Sequence, residues 1–141
     1  MNAPASLPDP EALLAQLCTQ LRSAVTPDTA LVGIYTGGVW LATRLHAELQ
    51  LNTPLGTLDV TFYRDDYDRI GLHPNAKRSD IAFEVAGRHI ILVDDVLYTG
   101  RTIRAAMNEL FDYGRPASIR LAALIDRDAR ELPIAAQFVG A

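Results

Sequence analysis

Ile90-Ile91-Leu92-Val93-Asp94-Asp95-Val96-Leu97-Tyr98-Thr99-Gly100-Arg101-Thr102 limits what this chain can fold into more than any other stretch. Its first four residues are apolar and mostly β-branched, a run too short for a helix and suited to a strand buried on both faces. The acidic pair is expected to end that strand. Thr99, Gly100 and Thr102 then make a turn that offers hydroxyls and a residue free to take positive φ. A helical pattern follows, with Ile103, Ala106, Met107, Leu110 and Phe111 on one face and Gly114 placed to cap its end. A strand, a small-residue turn and a helix start together aim backbone N–H groups and the positive end of a helix dipole at one spot, which makes a phosphate seat.

Asp94 and Asp95 make the seat more particular. Two carboxylates would repel a bare phosphate, yet they accept hydrogen bonds from a diol and bind hard cations. The stretch therefore reads as a ribose 5-phosphate cradle. The plain alternative is a buried strand closed by a solvated Asp-Asp turn.

With 141 residues, 49% of them hydrophobic, the chain suits a single domain over residues 10–141, preceded by a flexible arm over residues 1–9. Its one cysteine, Cys18, lies between Leu14 and Leu21 at helical spacing and reads as a core thiol. Thirteen basic and seventeen acidic residues give a net charge of −4, which disfavours nonspecific attraction to nucleic acid. The first residues lack the basic and apolar regions of a signal peptide, and no stretch approaches the length of a membrane span, so a cytoplasmic protein is expected.

Taken in order, Leu13, Leu14, Leu17, Cys18, Leu21 and Val25 predict an amphipathic helix over residues 10–25. Residues 30–35 read as a buried strand, Thr36, Gly37 and Gly38 as a turn, and residues 39–49 as an apolar helix. This is a second strand–turn–helix unit. In an open parallel sheet both turns fall at the carboxyl ends of strands, where such folds bind ligands. The amides of Gly37 and Gly38 can hold a second anion there, or the glycines only make a tight turn. Residues 55–63 alternate like a strand, and residues 64–79 form a polar segment that reads as a lid or as a solvated loop. Arg64, Lys77 and Arg78 in it can bring positive charge to a leaving group, while His73 reads as a bystander. A short return strand is expected over residues 80–85. His89 should sit exposed at the start of the central strand, and His46 on the surface of the second helix. Residues 116–126 read as another interior strand, ending at Asp126, Arg127, Asp128 and Arg130, and residues 133–139 as a last strand or hood.

The run from Val93 to Thr102 resembles the phosphoribosyl pyrophosphate signature of type I phosphoribosyltransferases. Its form is that of the PyrR family, bifunctional pyrimidine operon regulators and uracil phosphoribosyltransferases. Leu58-Asp59-Val60-Thr61-Phe62-Tyr63-Arg64-Asp65-Asp66 and Ile125-Asp126-Arg127 through Glu131-Leu132-Pro133-Ile134 are similar to that family as well. The resemblance implies an α/β fold: a central, mostly parallel twisted sheet flanked by helices, with a flexible lid loop and a small hood. It implies phosphoribosyl pyrophosphate, uracil and UMP as ligands, and Mg2+ bound mainly through substrate and water rather than by protein ligands. By motif match, Asp94 and Asp95 hold the ribose and steady its cationic transition state, and Arg64 acts from the flexible loop. Thr36, Gly37 and Gly38 form the pyrophosphate loop. Val96, Leu97, Tyr98, Thr99, Gly100, Arg101 and Thr102 form the 5-phosphate loop, and Arg127 contacts substrate. Family chains run on past the position of Gly140 and Ala141, so the C-terminal part of the hood is expected to be short or missing. Many members also carry a basic residue near Tyr35 or Gly37, where this chain has none.

Three readings follow. The chain is a catalyst, a regulator that binds pyr operon messenger RNA, or a silent nucleotide-binding subunit. RNA binding needs a basic face; residues 10–25 offer Arg22 alone, leaving Arg44, Arg101, Arg104, Arg115 and Arg120 as candidates. The apolar helices exceed what one small sheet must cover, so a homo-oligomer, dimer or larger, is expected.

Overall fold

Two apolar runs pair as neighbouring parallel strands, β1 (Ala30–Ile34) and β3 (His89–Leu97), and the rest of the computed structural model, which describes residues 9–60 and 79–141, is arranged on them. Strand β2 (Gly56–Leu58) lies outside β1. On the other side, β4 (Ser118–Asp126) pairs with β3, and β5 (Phe138–Val139) pairs with β4. The order is β2-β1-β3-β4-β5, with every pair parallel. Parallel neighbours need crossovers, supplied here by α2 (Gly37–Leu49) and α3 (Arg101–Phe111), while α1 (Pro10–Arg22) precedes the sheet.

The helices bury both faces of the sheet, which is why its inner strands are apolar without alternation. On one face Leu17 and Leu21 of α1 and Leu41 and Leu45 of α2 pack on Leu31, Ile91, Val93 and Ala122, and Cys18 joins them as a buried thiol. On the other, Ile103, Ala106 and Leu110 of α3 pack on Val32, Ile90, Leu92 and Leu121. Each such leucine or isoleucine contributes about 1.5–3 kcal/mol on burial. Among the described residues no helix is long and apolar enough to cross a membrane.

Several boundaries differ from the sequence expectation. Strand β3 does not stop at the acidic pair: β4 runs beside it to the end, pairing Asp94 with Ala123, Val96 with Ile125 and Leu97 with Asp126. Helix α1 ends at Arg22 rather than residue 25, although the amides of Ala24 and Val25 still donate to the Leu21 carbonyl. Helix α2 begins at Gly37, two residues early. Only Gly56–Leu58 of the strand expected over residues 55–63 forms within the described residues. Instead of a return strand over residues 80–85, a single antiparallel bridge joins Asp80 to Thr57. The cap of α3 is Asp112, with Gly114 beyond it. His46 is half-buried, its Nε2 2.7 Å from the Thr53 carbonyl. His89 is exposed as expected, its Nδ1 2.6 Å from Ser118 Oγ. Most of the expected arm, residues 1–8, and nearly all of the expected lid, with Arg64, His73, Lys77 and Arg78, lie outside the described residues.

Both rims of the sheet are occupied. At β2, Thr57 and Asp80 exchange N–H···O bonds of 2.9 Å. At β5, the Gln20 amide donates to the Val139 carbonyl at 2.8 Å and accepts from its N–H at 3.1 Å.

Candidate active site

Because β1 and β3 are parallel neighbours, the turn that starts α2 lies against the acidic end of β3. Glycine makes this approach possible. A Cβ at Gly37 would land on the Asp95 carboxylate, and one at Gly38 on the Val93 carbonyl, with Asp94 Cα 3.1 Å away. The Asp95 carboxylate thus rests against the first turn of α2, where the helix dipole favours negative charge. Thr36, the N-cap of α2, is exposed and makes no side-chain capping bond; the Tyr35–Thr36 peptide is cis.

The two carboxyls sit in different surroundings. Asp94 is 8% exposed. Burial, then the hydrogen bond and negative charge of neighbouring Asp95, push its carboxyl up to about 8, against the pull of the Asp95 N–H donated to Asp94 Oδ1 at 2.9 Å. Asp95 is half-buried and accepts from the Val96 N–H at 2.9 Å.

Beyond Leu97 the chain turns through Tyr98, Thr99 and Gly100 into α3. Gly100 takes φ +96°, closed to most side chains, and a Cβ there would also press on Ile134 at 3.0 Å. Thr99 Oγ1 accepts from the Arg101 N–H at 3.2 Å. The next amides of α3, at Thr102 and Ile103, belong to the helix start, whose N–H groups have no acceptor within the helix. Val96, Tyr98, Arg101 and Thr102 are exposed, and Leu97 is buried in the core beneath them. Arg101 Nε pairs with Glu131 Oε1 at 2.7 Å on the surface.

The segment after β4 closes over this turn. The Arg127 N–H donates to the Leu97 carbonyl at 2.8 Å, and its guanidinium lies 4.2 Å from the centre of the Tyr98 ring. Sequence reading gave Arg127 the role here and left Arg130 without one. Arg130 makes four hydrogen bonds: Nη2 to both oxygens of Asp126 at 2.7 Å, Nε to the Ile134 carbonyl at 2.8 Å, and Nη1 to the Tyr98 carbonyl. Its guanidinium, followed by the Asp128 N–H, holds the Asp126 carboxyl below the usual carboxylate range. The four-residue spacing of Asp126 and Arg130 was visible in the sequence, but in an irregular segment it says nothing about backbone acceptors.

The structure thus brings Gly37, Gly38, Asp94 and Asp95 together and sets the turn from Thr99 to Thr102, with Arg127, at the end of the same strand. Among the described residues no three His, Cys, Asp or Glu side chains gather to hold a metal. The half-buried Asp95 carboxylate would suit Mg2+ if most of the ion's other oxygens came from a polyphosphate and water.

The model of the phosphoribosyl transferase domain matches residues 2–140. The bifunctional protein PyrR of Pseudomonas entomophila is 55% identical over 140 residues, covering 96% of this chain and 81% of that protein. The protein of the same name from Nitrosococcus oceani is 55% identical over 136 residues, 92% of this chain and 77% of its own. Among solved structures, a hypoxanthine-guanine phosphoribosyltransferase from Bacillus anthracis superposes with a TM-score of 0.76 at 18% identity, over 100% of this chain and 85% of that one. A purine phosphoribosyltransferase from Pyrococcus horikoshii gives 0.70 at 22% identity, over 92% and 78%. The superpositions establish the fold, and the family match together with the relatives establishes that this chain belongs to the phosphoribosyltransferases, among the proteins named PyrR.

Proposed function

We propose that this phosphoribosyltransferase makes UMP and pyrophosphate from uracil and phosphoribosyl pyrophosphate. The observation that carries the reading is the seating of the Asp94–Asp95 pair between two helix starts, one reached across Gly37 and Gly38 and the other through Gly100. That arrangement suits a ligand with an anion at each end and a diol between. The amides from Thr99 to Thr102 hold the 5-phosphate, and those of Thr36, Gly37 and Gly38 the pyrophosphate. Asp95 and Asp94 accept the ribose hydroxyls. As the bond from the anomeric carbon to pyrophosphate breaks and the bond to the uracil nitrogen forms, positive charge grows on the sugar, and the Asp95 carboxylate, with Asp94 hydrogen-bonded beside it, stabilises it. Asp94 and Asp95 would lie beside a Mg2+ ion bound mainly through substrate and water, and that ion would supply positive charge to the pyrophosphate. Arg64 adds positive charge to the pyrophosphate, and Arg127 contacts substrate. Regulation of pyr operon messenger RNA, with nucleotide as effector, is the second activity we propose, motivated by the relatives' name of bifunctional protein; the setting we propose is cytoplasmic.

Pyrophosphate release is measured with phosphoribosyl pyrophosphate, Mg2+ and each of uracil, orotate, hypoxanthine and guanine. Turnover is expected with uracil alone and is reduced at least about a hundredfold in Asp95→Asn. Silence with every base, in folded protein, overturns the reading and shifts weight to a nucleotide or RNA sensor.

A further inference from the structure

We propose that Arg130 is a positioning residue that aims the 5-phosphate turn by holding the Tyr98 carbonyl on the reverse side of the Thr99 amide and fixing the segment whose N–H groups hold the Thr99 carbonyl. The inference rests on the proposed function, since it concerns the same anion seat. In a trans peptide the C=O and the following N–H point in opposite directions. The carbonyls of Tyr98 and Thr99 are both drawn toward the segment after β4. Arg130 Nη1 donates to the first, and the N–H groups of Glu131 and Leu132 donate to the second at 2.9 and 3.2 Å. Their partners, the N–H groups of Thr99 and Gly100, must then face away from that segment, on the side where the turn opens into α3.

Arg130 is itself held in place. Asp126, at the end of β4, clasps Nη2 with both oxygens, and the Ile134 carbonyl takes Nε. With its side chain only 20% exposed, Arg130 joins the end of β4, the turn after β3 and the segment that packs on Gly100. A single planar group spanning three acceptors is a task for guanidinium; an ammonium on a flexible stem cannot reproduce it.

The test separates geometry from charge. In Arg130→Met and Arg130→Lys the KM for phosphoribosyl pyrophosphate is expected to rise about tenfold or more, the scale of a lost hydrogen bond to a charged group. The KM for uracil should stay within about twofold. Calorimetric binding of Mg2+-phosphoribosyl pyrophosphate without base should weaken by the same factor. A lysine variant that behaves like wild type overturns the proposal, because charge alone would then be sufficient. So does a methionine variant with unchanged donor binding. Should Arg130→Met fail to fold, Arg130→Lys, which keeps a cation beside Asp126, decides the question. If the wild type binds the donor without transferring it to any base, the function fails, yet donor binding by the two variants still judges Arg130. If the wild type does not bind the donor, the anion seat and the proposal fall together.

Discussion

Asp94 is a carboxyl that keeps its proton at neutral pH in the ligand-free protein, because burial and Asp95 raise it to about 8. Linkage fixes the sign. The unfolded chain releases this proton near 3.8 and the folded chain only near 8, so the folded state binds more protons between those values. The stability contribution is fully present below about pH 4 and is lost as pH rises to about 8. The midpoint of thermal unfolding should therefore fall from pH 5 to pH 8, with a slope from this group of at most about 1.4 kcal/mol per pH unit. Asp94→Asn, which cannot titrate, should flatten that slope; an unchanged slope would show that Asp94 is already ionised. At this scale the sequence was legible wherever a side chain's own chemistry limits its use. Two adjacent acids and a Thr-Gly-Arg-Thr turn leave few options. Arg130 was not legible, because two of its acceptors are backbone carbonyls whose direction depends on the fold.

At the level of elements, the close approach of α2 to β3 carries both stability and chemistry. Gly37→Ala puts a methyl group where the Asp95 carboxylate lies, so either the helix start or the acid must move. Overpacking of this kind costs about 1–3 kcal/mol, to be read by denaturant unfolding, and transfer should fall with it even where the protein remains folded. The inner elements β1, β3 and β4 and the three helices followed from composition and period, because both faces of the sheet are covered and apolar runs mark that plainly. The edge did not follow. Residues 55–63 alternate as a strand should, but β1 ends at Ile34 as the chain turns into α2. Among the described residues the last bond to this segment from β1 is the Tyr35 N–H donated to the Leu58 carbonyl at 2.9 Å. Alternation belongs to a segment; pairing belongs to its neighbour. The same reason extends β3 past its acids, since β4 continues beside it.

Across the whole molecule, the strand order puts β1 and β3 at adjacent central positions, and the connections leaving them supply the two glycine turns. One ligand spanning both turns should therefore stabilise the entire sheet. Mg2+-phosphoribosyl pyrophosphate at a hundred times its dissociation constant should add about 2.7 kcal/mol, a rise of several degrees in the unfolding midpoint. Chelating the metal should abolish most of that rise, whereas an equal rise with inorganic phosphate alone would mean that only one turn is occupied. Gln20 at β5 and Asp80 at β2 have a consequence of another kind. A side-chain amide and a passing backbone take the places that a sixth and a seventh strand would fill, so among the described residues neither rim offers a ladder for a foreign strand to climb. Copies of this chain that meet at these rims must do so through side chains, and the sheet stays the private property of each one.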